Sequence, residues 1–258
     1  MSKKKIILLT VLAIVLISFP FLKQGYQDAI KTDVANTFAQ PSMQHYFGTD
    51  HLGRDVYSLM VDGAMRTVAT ILLASGISLF FGLILGAMGA YYGGFFETAV
   101  QFLTDIFMIV PSFILALIIS AMMGLNPVSA GITLGISGIG DYANQAMILS
   151  KSIKRRGFVQ NGQSMGLGSL HIIFRHIIPH ILSPILASLG NRASGIVLQY
   201  ASLSFIGLGA DLTKPDWGMM LYQYRIYIID RPQLLFFPTF AIFVLAFSFY
   251  FVFDEQEI

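Results

Sequence analysis

The sequence predicts an all-α integral membrane protein with about six transmembrane helices. Two observations carry that prediction. Of 258 residues, 55% are hydrophobic and only 12% are charged, against about 25% charged in an ordinary soluble domain. The apolar residues also fall in uncharged runs at 68–90, 106–125 and 234–253, each close to the roughly 20 residues that cross about 30 Å of hydrocarbon.

In chain order, spans are expected at about 6–22, 68–90, 99–123, 127–149, 182–206 and 234–253. The first follows the basic start Met1–Lys5, as a secretory signal would. Phe19-Pro20-Phe21-Leu22 offers no small-x-small cleavage site, so the segment reads as a retained span. The second carries Ala74, Ser78, Gly82, Gly86 and Ala90 at every fourth position, a stripe of small residues that admits close helix approach. Packing within the chain and a dimer interface would both use such a stripe. Pro111 in the third span and Pro238 in the sixth predict a kink or an unwound stretch. The fourth, with Gly135, Gly138 and Gly140 and interrupted by Asp141 and Asn144, is expected to be loosened. The fifth carries Arg192.

Basic residues set the orientation. Lys3, Lys4 and Lys5 place the N-terminus in the cytoplasm, and after six crossings the C-terminus lies there too. The 150–181 loop is then cytoplasmic, with Lys151, Lys154, Arg155, Arg156 and Arg175 and no acid, while 23–67 lies outside with five aspartates. The expected organisation is an N-terminal helix and extracytoplasmic segment over 1–66, followed by one transmembrane domain over 67–258.

Several function classes drop out. The net charge of +2 gives no nucleic-acid footprint, and the absence of cysteine removes thiolate chemistry and Cys-based metal sites. There is no G-x-x-x-x-G-K-[ST] phosphate loop and no H-E-x-x-H. His171, His176 and His180, at i, i+5 and i+9, scatter around an α-helix and read as solvated or interface residues. Gly207-Leu208-Gly209 lacks a third glycine at dinucleotide spacing. An enzyme is therefore disfavoured.

The loop 158–179, FVQNGQSMGLGSLHIIFRHIIP, is the candidate functional segment. A short amphipathic helix interrupted at Gly166 and ended near Pro179 would make a knob that seats in another protein's groove, with Met165, Leu167, Leu170, Ile172, Ile173 and Phe174 at its base and contact face. An interfacial helix lying on lipid is the competing reading. Asp105, Asp141 and Arg192 form a second candidate set, because a charge at membrane depth costs about 2.5–3.5 kcal/mol or more. A structural ion pair, a wet vestibule or contact with a passing polar substrate would each account for them. Gly48-Thr49-Asp50-His51-Leu52-Gly53-Arg54-Asp55 is either a self-stabilising capped turn or an outer docking and gating element, and Trp217 reads as an interfacial anchor.

HYFGTDHLGRDVYSLMVDGAMRT (45–67), YYGGFFETAVQFLTDIFMIVPSFILAL (91–117), GLGSLHIIFRHIIP (166–179), LSFIGLGADLTKPDWGMML (203–221) and FFPTFAIFVLAF (236–247) together resemble the permease subunits of ATP-binding-cassette importers. The match is to the second permease partner in the branch that imports dipeptides, oligopeptides and nickel. That resemblance implies a type I permease fold whose cytoplasmic coupling helix includes Gln160, Ser164, Met165, Gly166, Leu167, Gly168 and Pro179. It further implies a second homologous permease, two ATP-binding subunits that hold ATP and Mg, and an extracytoplasmic substrate-binding protein. The setting would be the plasma or inner membrane of a prokaryote, and the chain itself would carry no cofactor and no catalytic residue. Cargo would be peptides, nickel or a metal chelate (metallophore). The family's Glu-Ala-Ala is replaced here by Gln160-Asn161-Gly162, which removes a charged contact from position 160. An ion-coupled secondary transporter is the rival function, and it predicts an internal inverted repeat that the sequence does not display.

Overall fold

A computed structural model describes residues 31–208, 211 and 213–253. The expected first span, 6–22, lies outside the described residues. Within them the chain is helical: α1 (Val56–Tyr92), α2 (Gly94–Ile109), α3 (Ser112–Met123), α4 (Pro127–Lys154), α5 (Gly157–Ser164), α6 (Ser169–Ile206), α7 (Trp217–Tyr224) and α8 (Gln233–Phe253). By length and apolarity α1, α6 and α8 can each cross a membrane, and α2 with α3 passes the same test as a bent pair. The 37 residues of α1 extend about 55 Å at 1.5 Å each, so the helix outruns a hydrocarbon layer and begins well before the expected 68. The expected 66/67 division falls inside it. Helix α4 has 28 residues, enough for about 42 Å, although Asp141, Lys151 and Lys154 make it less apolar.

The small-residue stripe of α1 packs inside the chain, against α4. A Cβ on Gly82 would sit 2.5 Å from Tyr142 Cβ, and one on Gly86 would sit 2.2 Å from the Ala143 carbonyl oxygen. Helix α4 reciprocates. Gly135 and Gly138 face Ile77 and Ser78 at comparable range, Gly140 faces the Thr104 carbonyl of α2, and Ser78 Oγ donates to the Gly135 carbonyl at 2.8 Å. These glycines were expected to loosen the span. They instead allow its backbone to approach its neighbours within an unbroken helix.

Pro111 does break its span. Helices α2 and α3 meet there at 75°, since proline offers no N–H to continue the ladder. Pro238 lies within a continuous α8, whose outer side carries stacked pairs Phe236–Phe240, Phe243–Phe247 and Phe247–Phe251.

The segment before α1 folds back onto α7 and α8, with Phe47 stacked on Phe237 at 4.4 Å and Phe38 edge-on to Tyr227. Trp217 is buried rather than placed at a lipid interface. It is 4% exposed, its indole Nε1 donates to the Met60 carbonyl at 3.0 Å, and its ring covers Gly63. A side chain larger than hydrogen at 63 would displace it, which explains why the expected anchor became a core residue.

Candidate functional site

The 158–179 segment is a projection that follows α4 and takes in α5 and the first turns of α6. Helix α5 ends at Ser164, and the chain reverses through Gly166 at φ +78°. Gly166 N–H donates to the Gln163 carbonyl and Leu167 N–H to the Gly162 carbonyl, the paired bonds of a Schellman cap. No atom crowds a Cβ at 166, so this glycine is required for its left-handed backbone alone. Beneath the turn, Val159, Ile172, Ile173, Ile177 and Ile181 are buried with Ile153 in one cluster. Met165, Leu170, Phe174 and Phe158 are exposed, as are Gln160, Ser164, Gly168 and Pro179, and Leu167 is 38% exposed. The six apolar residues expected to share base and contact face thus divide, with Ile172 and Ile173 forming the base and the other four pointing outward.

Helix α6 does not end near Pro179. It runs from Ser169 to Ile206 through a π-helical stretch at Ile173–Ile177. Pro179 has no N–H for the Arg175 carbonyl and would crowd it in a regular helix. The backbone widens instead, and Ile178 N–H reaches the Ile173 carbonyl five residues back. The same wide turn corrects the expected scatter of histidines. In a π-turn residues five apart align, so the His171 and His176 rings lie 5.6 Å apart. Phe158 stacks on His180 at 4.9 Å, and His180 Nδ1 lies 2.7 Å from the His176 carbonyl oxygen. Sequence reasoning missed Phe158 because its partner's position depends on that extra residue per turn. The loop's root is tied down by Lys151 Nζ to Glu97 Oε1 at 2.5 Å and Lys154 Nζ to the Tyr91 carbonyl at 2.6 Å.

Of the three charged residues expected along a path, two meet. Arg192 Nη1 lies 2.7 Å from Asp141 Oδ2, and its guanidinium sits over the Tyr142 ring at 4.7 Å. Asp105 is exposed on α2 and stands apart from this pair. The pair opens on a cavity of about 190 Å³ lined also by Ser78, Ser112, Ser137 and Gln199. Four helices supply it, including the bend at Pro111.

At the Val56 end of α1 a buried polar network binds three elements together. Asp50 accepts from Leu52 N–H, Arg54 N–H and Arg54 Nε, and its carboxylate lies 2.7 Å from Arg54 Nη2. Arg54 Nη2 also donates to Gln223 Oε1 at 2.6 Å, and Tyr224 OH donates to Asp50 at 3.2 Å. Burial, with the Asp50 carboxylate adding to it, holds the Tyr224 phenol well above its usual range. The local Asp–Arg turn is therefore present, and it also clamps α7. Asp55 caps α1 through Ser58 N–H and meets His45 Nδ1 at 3.0 Å. Asp216 caps α7 through Met219 N–H and accepts from Tyr200 OH and Ser204 Oγ. Sequence reasoning missed α7, although an aspartate directly before an apolar run is a start signal.

Known proteins resemble this chain over most of its length. The family model described as "Binding-protein-dependent transport system inner membrane component" matches residues 59–255. The chain is 30% identical over 244 residues to the dipeptide transport system permease protein DppC of Alkalihalophilus pseudofirmus, covering 95% of this chain and 80% of that protein. It is 32% identical over 218 residues to the glutathione transport system permease protein GsiD of Escherichia coli, covering 84% and 72%. Among solved structures, the crystal structure of an amino acid ABC transporter with histidines matches with TM-score 0.51 and 21% identity, over 76% of this chain and 92% of that one. At that identity the likeness concerns the fold.

Proposed function

Because this chain belongs to the family of binding-protein-dependent transport system inner membrane components, we propose that it forms half of the membrane path of an ATP-driven peptide importer. The observation that carries this reading is the projection that follows α4. A glycine-capped turn stands on a buried isoleucine base and presents Met165, Leu167, Leu170 and Phe174 outward. Such a projection gives a separate ATPase a rigid handle on two long helices. The chain has no phosphate loop, and in this proposal nucleotide energy reaches it through contact with the ATPases. Nucleotide-driven closure of the ATPases would press on Gln160, Ser164, Met165, Gly166, Leu167 and Gly168 and on Pro179 at the root of α6. The ligand shifts the population because the two conformations contact it differently.

In this proposal the projection and both termini face the cytoplasm, and six spans form when 6–22 is counted with α1, the bent pair α2–α3, α4, α6 and α8. Residues 1–66 supply an N-terminal helix and outer segment, and 67–258 the transmembrane domain. The partners are a homologous second permease, two ATPases and an extracytoplasmic binding protein. Peptide is the proposed cargo, since the relatives are named for dipeptide and glutathione. Nickel and metal-chelate cargo has no specific support from those names. Asp141 and Arg192 would line the translocation path, with Asp105 outside the cavity they share.

The test is uptake by the complete complex in liposomes with a Met165→Asp/Leu170→Asp variant. Both residues are exposed, so folding is expected to survive while ATP-driven uptake is lost and basal ATP hydrolysis persists. Unchanged uptake would overturn the coupling role. Uptake by this chain without any ATPase would favour the ion-coupled transporter instead.

A further inference from the structure

Asp141 is residue 15 of the 28 in α4, counting 141 − 127 + 1, and Arg192 is residue 24 of the 38 in α6, counting 192 − 169 + 1. Two opposite charges therefore meet well inside two long helices, where charge is costly in a bilayer. Their side chains are nonetheless 47% and 28% exposed. A pair serving only to cancel two buried charges would be expected to close over itself. This one keeps a face turned to the cavity it shares with Ser78, Ser112, Ser137 and Gln199.

Resting on the translocation path proposed above, we propose that Asp141 and Arg192 form a half-site for zwitterions. The substrate's ammonium group takes the Asp141 carboxylate while its carboxylate takes the Arg192 guanidinium.

Charge balance favours this class of ligand. An anion alone would draw Arg192 away and leave Asp141 without its partner, and a cation alone would do the same to Arg192. An unpaired ionisable group within a membrane-spanning segment is costly. A zwitterion exchanges one internal ion pair for two, so neither residue is left alone. The guanidinium has five N–H donors in a planar fork, suited to a carboxylate, and the Tyr142 ring beneath it fixes that plane. The cavity's 190 Å³ falls short of the roughly 300–1,000 Å³ of a complete small-molecule pocket, so the second permease would supply the other wall. Gly195 keeps this chain's wall low, since a Cβ there would meet no atom within 4 Å.

The experiment is equilibrium binding to the intact permease–ATPase complex in nanodiscs, without the binding protein, so that no upstream selection interferes. The probes are alanyl-alanine, N-acetyl-alanyl-alanine and alanyl-alanine amide. The wild-type complex is expected to bind the free dipeptide at least about tenfold more tightly than either blocked form, the worth of one charge-assisted hydrogen bond. Asp141→Asn should abolish discrimination against the acetylated probe, and Arg192→Gln discrimination against the amide. Asp141→Glu and Arg192→Lys should retain part of it and serve if the neutral variants fold poorly. Equal binding of all three probes to the wild type, or unchanged discrimination in the variants, overturns the proposal. ATP-driven dipeptide uptake, measured on the same wild-type preparation with the binding protein restored, tests the importer reading separately.

Discussion

Replacing Arg54 by methionine removes one member of a buried ion pair. Arg54 is 2% exposed and Asp50 0%, and the deletion of one partner from such a pair costs about 3–5 kcal/mol. The Asp50 carboxylate keeps donors in the substituted protein, because the N–H groups of residues 52 and 54 and Tyr224 OH remain. Gln223, half-buried, regains water in place of the guanidinium. Both facts place the cost near the lower bound, at about 3 kcal/mol. At about 2–4 °C per kcal/mol for a chain of this size, thermal unfolding in detergent should fall by roughly 6–12 °C. The double variant Asp50→Asn/Arg54→Met should fall by less than the sum of its singles, since the second change removes the charge stranded by the first. A shift below about 2 °C, or a strictly additive double variant, would refute the claim that this network holds α7 against the start of α1.

Three further outcomes follow from the same reasoning. Gly86→Ala forces a Cβ to within 2.2 Å of the Ala143 carbonyl oxygen, so overpacking should destabilise the protein by about 1–3 kcal/mol, read as a lower melting temperature; an unchanged value would deny the close seam. Gly166→Ala meets no atom and should cost only about 1–2 kcal/mol of left-handed backbone strain, yet reduce ATP-driven uptake by re-aiming the projection; a Gly166→Asn variant should recover part of it. The third concerns pH. Burial chiefly, with repulsion from Arg54, lowers the proton affinity of His51, while Asp50 opposes this and Tyr224 and Tyr227 face the ring. Protonation then favours the unfolded chain. The contribution of neutral His51 is complete above the ordinary imidazole value of about 6.5 and is lost as pH falls from there through the lower folded value. Melting curves from pH 7.5 down to about 5 should show this slope, and His51→Asn should flatten it.

Much of the fold was legible because membrane physics writes long signals. The uncharged runs located α1, α3 and α8, Pro111 marked the broken span, and the stripe from Ala74 to Ala90 marked the α1 seam. Other features depended on a partner that no window of sequence contains. Gly135 and Gly138 look like weak points alone and become contact surfaces only opposite Ile77 and Ser78. Pro179 reads as a stop, and only the wide turn before it shows how the helix continues. That turn also decides which histidines meet. In the candidate site, the outward residues Met165, Leu170 and Phe174 and the buried pair Ile172–Ile173 have similar hydrophobicity, so their division waited on three dimensions. Asp141 and Arg192 were recognisable as costly charges, whereas their meeting required the register of α4 against α6.

The glycine seam between α1 and α4 restricts how the molecule can change state. Tyr142 and Ala143 of α4 rest directly against Gly82 and Gly86 of α1, so a larger residue at either position would part the two backbones. The two helices are thus held backbone to backbone as a single stave. In the importer proposed above, that stave would move as one piece, with rearrangement falling at the 75° elbow at Pro111.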